Sequence, residues 1–541
     1  MVKCAILIAL LLMGCCGYAQ QQPSSDPLAE GIALLHEGEF HRSLIVLHRA
    51  IELQPGSAPA HNYYGFALAR TGSLEPAIRQ FQEALKIAPH YPDALYNLGT
   101  AMTVRGNYPA AIENLKEALA LKPDFAEADF ELGNALAAQG DAAGALEALE
   151  KAVRLRPDMY AARTQLAMLE SQTGDTQAAV SEFRRVVAQR PDSSEAHNDL
   201  GVALDQAGDL PGAIEQFQQA IAKDPKFVPG LLNLAQAMRD KGELPTAADN
   251  YRKALALKPD SADAHADLAF TLKRMDKLKE ALTEIAIAVR IAPNLARAQF
   301  YYGEILAQTG DSAGALPHYK RASELSPRDV DFKLKYGTLL AEKSPAEAVP
   351  VLQAAARLDP RRTEVLNALG AALRRTGDQE LAAEVFRRSR EASAEATNRT
   401  EAMLKTNSAI ESLKKGEVAP AIESLRAALA ADPNSVDANH YMGIAQSAQQ
   451  NWPEANRAFS AAIQANPDNP QIHFNYGVAL EKQGDWNNAV LQFQSVVLLR
   501  PAEVQAHCQL ADALLHAGQT EQANTEIQNA KELGSCDPGA P

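Results

Sequence analysis

A proline returns every 34 residues along almost the whole of this chain, from Pro55 and Pro89 to Pro467 and Pro501. The step shortens to 33 once, before Pro360, and is interrupted once, by the 73 residues between Pro360 and Pro433. A fixed period of this length means stacked supersecondary units, each burying its apolar face against the next, and it constrains the fold more than any local motif. At 541 residues a single globular core would be oversized, whereas a stack of units has no such ceiling.

Aligning the chain on these prolines exposes what else recurs. Twelve residues upstream stands alanine, as at Ala77, Ala111, Ala145 and Ala213, with Ser43 in the first unit. Eight upstream is a large apolar residue such as Leu47, Phe81, Leu115 or Phe217, and five upstream another small one such as Ala84 or Ala118. Offsets of four and three put all three on one helical face, where the small residues admit a neighbouring helix and the large one fills the gap that remains. Further upstream runs a second stripe, for example Leu98, Gly99 and Met102. A glycine (Gly72, Gly106, Gly140 and their equivalents) separates the two stripes, where a helix C-terminus calls for left-handed backbone. The proline ends the second helix, since it lacks an amide proton and clashes with the preceding turn. One period therefore reads helix, tight turn, helix, proline turn.

Segments such as ALYNLGTAMTVRGNYPAAIENLKEALALKPD resemble tetratricopeptide repeats, and the resemblance extends over nearly everything after residue 24. It implies an all-α fold, a right-handed α-solenoid of about fifteen helix pairs, whose concave surface comes mainly from the first helix of each pair and binds peptides or protein segments. Residues 24–394 read as eleven units and 402–537 as four. The 73-residue gap is two periods plus five, and no glycine or proline falls between Gly377 and Gly416. That stretch, rich in helix formers, predicts that the second helix of unit eleven runs through a helical junction at 395–401 into the first helix of unit twelve.

A polar row stands two residues before the glycine-type position of each first helix: Asn97, Glu131, Gln165, Asp199, Asn233 and Asp267, and later Asn475 and Gln509. The family geometry turns this row towards the concave surface, where side-chain amides could hydrogen-bond the backbone of an extended peptide. It resembles a diluted form of the asparagine ladder in the repeats of a sugar transferase, with carboxylates in place of several amides. The alternative is a set of merely solvated polar positions. Phe300, Tyr301, Tyr302 and Phe332 concentrate aromatics around unit nine; Tyr302 reads as core, and Phe300 and Tyr301 as groove lining.

Signatures of catalysis are missing. His36 and His41 faintly resemble a zinc-protease motif, but their spacing is five and Gly38 puts them on different helices. His61, His197, His265, His473 and His507 share one repeat position, which the family often fills with an aromatic, so partial packing is expected of them. No phosphate loop or nucleophile elbow occurs, and the repeats leave no room for a catalytic domain. We expect no enzyme, no cofactor and no metal site.

A formal charge of −15 argues against nucleic acid as principal partner, because phosphate binding needs a basic field. Residues 1–19 read as a secretory signal: Lys3, an apolar run from Ala5 to Met13, and a small-x-small site at Gly17-Tyr18-Ala19. Leu12-Met13-Gly14-Cys15 also resembles a bacterial lipobox, which would make Cys15 a lipid-anchored N-terminus; both readings send the chain out of the cytoplasm, to the periplasm or beyond. Residues 20–23 form a short linker and 538–541 a tail, and no later apolar run is long enough to span a bilayer. Outside the leader the cysteines are Cys508, near the start of the last first helix, and Cys536, beyond the end of its partner. Those two ends meet in an antiparallel pair, which predicts a disulfide. The function expected is a protein-interaction scaffold of the cell envelope. An accessory subunit of an envelope polysaccharide export or synthesis complex is the alternative.

Overall fold

The computed structural model describes residues 26–534. The expected leader with Cys15, the linker at 20–23, Cys536 and the tail lie outside them. Every regular element among the described residues is an α-helix. The chain packs as two compact units, one up to His318 and one from Tyr319, the division falling inside one helix.

The helices come in antiparallel pairs. The first four are α1 (Pro27–His36) with α2 (Phe40–Leu53), α3 (Ala58–Arg70) with α4 (Leu74–Ile87), α5 (Pro92–Arg105) with α6 (Tyr108–Leu121), and α7 (Ala126–Gln139) with α8 (Ala142–Leu155). Next stand α9 (Tyr160–Thr173) with α10 (Thr176–Gln189), α11 (Ser194–Gln206) with α12 (Leu210–Lys223), and α13 (Val228–Lys241) with α14 (Leu244–Leu257). Then follow α15 (Ala262–Arg274) with α16 (Leu278–Ile291), α17 (Ala296–Gln308) before α18 (Ser312–Leu325), and α19 (Val330–Lys343) with α20 (Pro345–Leu358). Helix α21 (Thr363–Thr376) packs on the start of α22 (Gln379–Lys414), whose end packs on α23 (Val418–Ala431). The last pairs are α24 (Val436–Ala448) with α25 (Trp452–Ala465), α26 (Pro470–Gln483) with α27 (Trp486–Leu499), and α28 (Val504–His516) with α29 (Thr520–Leu533).

Three devices repeated in the sequence build each pair. Glycines between the helices take φ from +78° to +95°, a left-handed conformation that costs glycine no Cβ clash. At the period proline, the preceding residue is extended, as at Ala88 (φ −131°, ψ 88°) and Lys122 (φ −137°, ψ 85°), because proline excludes the helical region for the residue before it. Within the pair, the glycine of the first helix lies against the large residue of the second. A Cβ on Gly99 would stand 2.6 Å from Leu115 Cγ, and one on Gly201 2.5 Å from Phe217 Cε1. Ala77, Ala111, Leu115 and Phe81 are buried at that seam.

The two irregular steps have simple causes. Between α19 and α20 a single residue, Ser344, caps both helices, which shortens that period to 33. Over the long interval α22 runs unbroken for 36 residues, supported by the i,i+4 ion pairs Arg387–Glu391 (2.7 Å) and Arg399–Glu395 (3.7 Å). The predicted junction at 395–401 is helical, within the unbroken α22. Both ends of α22 dock on neighbours within the second compact unit.

Candidate interaction surface

The first helices pack on one another as well as on their partners: α3 on α5, α5 on α7, α7 on α9, α11 on α13 and α15 on α17 in the first compact unit, and α24 on α26 in the second. This places the polar row at the seams between successive first helices. Its side chains reach back 35 residues. Asn97 Nδ2 donates to Asn62 Oδ1 at 3.0 Å, and Asn233 Nδ2 to Asn198 Oδ1 at 2.9 Å. Asn475 Nδ2 lies 2.8 Å from Nε2 of His440, and Gln471 donates to its Oδ1 at 3.2 Å. Asn198 also donates to Asp199 Oδ1 at 3.4 Å, joining three polar side chains of two units. Asp267 stands between two cations, Arg239 Nη1 at 3.2 Å and Arg297 Nη1 at 3.3 Å, from the helices on either side. Gln165 and Gln509 lie half-buried at the same register on α9 and α28.

Burial governs the acids of this row. The Glu131 carboxyl is pushed up to about 7, chiefly by the protein packed around it, although the residue as a whole is only partly buried. Its neighbour from the previous unit, Tyr96, is pushed up as well, first by burial and then by the charge of Glu131. Asp199 rises to about 6 for the same reason, against the opposing hydrogen bond from Asn198. Near neutral pH these positions are therefore partly protonated and can donate as well as accept.

Beyond Asp267 the face turns cationic and aromatic. Phe270 and Tyr301 stack with ring centroids 4.5 Å apart, and Arg239 and Lys273 lie 5.6 and 5.5 Å from the Phe270 centroid. Lys273 also pairs with Glu304 at 2.6 Å. Tyr302 turns to the other side and stacks on His318 at 4.1 Å. It is only partly buried, as are Phe300 and Phe332.

The repeated histidines do more than fill an aromatic slot. In all five, Nε2 lies 2.9–3.1 Å from the carbonyl oxygen of the period proline six residues earlier. Nδ1 lies 2.6–2.8 Å from a side chain nineteen residues later: Gln80, Gln216, Glu284, Gln492 and Glu526. Each imidazole thus ties the proline turn to the second helix of its own unit. The proline carbonyl can only accept, so Nε2–H donates to it, and the second contact at Nδ1 fixes the ring between the turn and the helix. Arg163 makes the same bridge from Pro157 to Glu182, and Gln299 from Pro293 to His318. Where leucine fills the slot, as at Leu95 and Leu231, the residue nineteen later (Asn114, Asn250) bonds its own helix instead. The signal was present in the sequence as this pairing of polar with polar.

Among the described residues no group of three or more His, Cys, Asp or Glu side chains could hold a metal ion, and no helix is long and apolar enough to cross a membrane. Cys508 stands on α28 and takes part in a disulfide; Cys536, its predicted partner, lies outside the described residues.

The match to a known protein family agrees with this repeat. The tetratricopeptide repeat family matches residues 96–160, 164–226, 267–330, 338–397 and 441–501, together more than half of the chain. Further repeat descriptions of the same kind match 67–103, 235–276 and 504–527. No curated protein sequence matches significantly. Among solved structures, YrrB, a TPR protein with an unusual peptide-binding site, is 25% identical over 34% of this chain and 95% of its own, with a TM-score of 0.31. Yeast Tom70 is 16% identical over 68% of this chain and 91% of its own, with a TM-score of 0.37. MamA is 26% identical over 30% and 95%, with a TM-score of 0.29.

Proposed function

The chain belongs to the tetratricopeptide repeat family, and on that premise we propose that it is a non-enzymatic scaffold binding extended polypeptide segments along the first-helix face of its first compact unit. The observation that carries the reading is the polar row at one register on six consecutive first helices, α5 to α15. Its members are oriented from the preceding unit at Asn97 and Asn233 and from both flanks at Asp267. A carboxamide offers a donor and an acceptor together, which matches a peptide backbone and asks little of its side chains. Helices packed about 10 Å apart advance by about three residues of extended chain per unit, so the row spans a segment of about fifteen residues. The stacked Phe270–Tyr301 pair would receive an apolar or aromatic side chain at one end of that track.

The leader pattern of residues 1–19 supports placing this scaffold in the cell envelope. Intact-mass measurement of the mature protein tests that placement, with a chain starting at Gln20 or a lipid-modified Cys15 as the two supporting results. For binding, the Asn97→Ala/Asn233→Ala variant should recover its envelope partners at least tenfold less well than wild type while keeping its helical circular dichroism. Equal recovery by both proteins removes the row from the contact surface.

A further inference from the structure

Where α13, α15 and α17 meet, at the end of the polar row, the chain departs from its repeat at several registers together. Arg297 stands where earlier first helices carry Asp93, Glu127 and Asp263. Arg239 and Lys273 replace Thr103, Ala137 and Ser171, and Phe270 replaces Thr100, Asn134 and Gln236. The earlier first helices pack on one another without these side chains, so stacking does not call for them. Three cations, Arg239, Lys273 and Arg297, gather around two carboxylates, Asp267 and Glu304, and all but Arg297 are less than a fifth exposed. Asp240 and Asp263 approach Arg239 and Arg297 from the rim, at 3.6 and 2.8 Å, but both stand about half in water or more, where such pairs contribute little. The packed cluster therefore keeps one positive charge in a chain that carries −15. Behind it, on α14, Tyr251 is 1% exposed and its hydroxyl has no hydrogen-bond partner among the described residues. After burial, the charges that act on this hydroxyl are those of Asp267, Arg239, Asp240 and Arg297, so it ends at the same cluster. A buried donor without an acceptor costs stability until something supplies one.

We propose that this site takes a carboxylate side chain of the bound segment, Asp or Glu, whose apolar or aromatic neighbour lies on the Phe270–Tyr301 pair. The inference rests on the reading of the first-helix face as a peptide track and names the residue that the track selects. Charge chooses the anion: the cluster has one cation in excess, and a guanidinium has five N–H donors, which Asp267 and Asp263 do not exhaust at Arg239 and Arg297. The unmet Tyr251 hydroxyl asks for the same kind of group, an acceptor. Contiguity chooses the neighbour. Arg239 and Lys273 lie 5.6 and 5.5 Å from the Phe270 centroid, so an acid held by the cations places the adjoining residue of its chain against the stacked rings.

A random library of peptides about fifteen residues long, displayed within a carrier loop so that none ends in a free carboxylate, tests this against the full chain. Selection should enrich Asp or Glu beside Phe, Tyr or Leu at least fivefold over the unselected pool. The best peptide, made with an amidated C-terminus, should lose at least tenfold in affinity by fluorescence anisotropy when its acid is changed to the amide. The acid peptide should also weaken more steeply than the amide as salt is raised, a measurement that needs only the wild-type chain. On Arg297→Gln, and on Arg239→Gln, the acid and amide peptides should bind alike. A general loss of folding would instead cost both peptides equally and show in circular dichroism. Enriched peptides without an acid, equal binding of the acid and amide peptides to wild type, or an acid preference that survives both substitutions overturns the inference and leaves the track reading standing. No enrichment of any peptide overturns both.

Discussion

Glu170 occupies a position that the other units of the first compact unit fill with Leu68, Met102, Leu136, Leu204, Met238, Leu272 and Leu306. Its Oε2 is buried without a hydrogen-bond partner among the described residues. Burial first, and then the charges of Glu182, Asp175 and Glu150, raise its carboxyl from 4.5 to about 7. A carboxyl raised in the fold binds its proton more tightly there than in the unfolded chain. Protonation therefore favours folding as pH falls from about 7 to 4.5, and the full cost of burying the ion applies above about 7. Glu131 and Glu481, also raised to about 7, and Asp199, raised to about 6, act in the same direction. Glu170→Leu should stabilise the chain by about 1–3 kcal/mol near pH 8 and by clearly less near pH 5, read from denaturant midpoints at both pH values. An equal gain at both would show that the ion is not what costs stability. Asp276 and Gln450 illustrate how far a side chain can be pressed by its register: at φ of 60° and 58° they hold the left-handed turn that glycine makes in twelve other units. The histidine bridges are the other residue-scale finding. Each was legible as a pair, His61 with Gln80 or His507 with Glu526, to anyone comparing units at an offset of nineteen; the slot alone suggested only packing.

Helix α22 shows what the element scale adds. Its outer stretch from residue 393 to 400 is exposed on every side, so little tertiary contact holds those turns beyond the Arg361–Glu395 pair at 3.5 Å. Backbone hydrogen bonds, helix propensity and the Arg387–Glu391 and Arg399–Glu395 pairs hold them instead. A proline there removes one backbone bond and clashes with the preceding turn. Ala396→Pro should cost about 3 kcal/mol of local helix stability and open 390–402 to limited proteolysis, with the flanking pairs retained. Resistance of that segment to protease would mean that something else covers it. The continuity of α22 was legible from the absence of glycine and proline. That it lies inside a compact unit was not, because that depends on the docking of both ends on α21, α23 and α24.

In the whole molecule, extensive packing joins helices one or two places apart in sequence, which makes stability a sum of unit and nearest-neighbour terms. Damage should therefore stay local. Gly99→Val would drive its side chain into Leu115, where even a Cβ would stand at 2.6 Å, at a cost of about 1–3 kcal/mol or more. Hydrogen exchange should then accelerate in α3 to α8 and remain unchanged beyond Tyr319; uniform acceleration through both compact units would contradict nearest-neighbour coupling. The sequence alone determined the helix pair, its repetition and the seam within it, because proline, glycine and alternating small and large residues act on backbone and packing only a few residues away. Only the tertiary structure decided how the polar row is used. Asn97 meets Asn62, and Asp267 meets both Arg239 and Arg297, across seams that exist once successive units are stacked. Hydrogen bonds and burial of that kind depend on which side chain the neighbouring unit presents, and a period read along the chain carries no such distances.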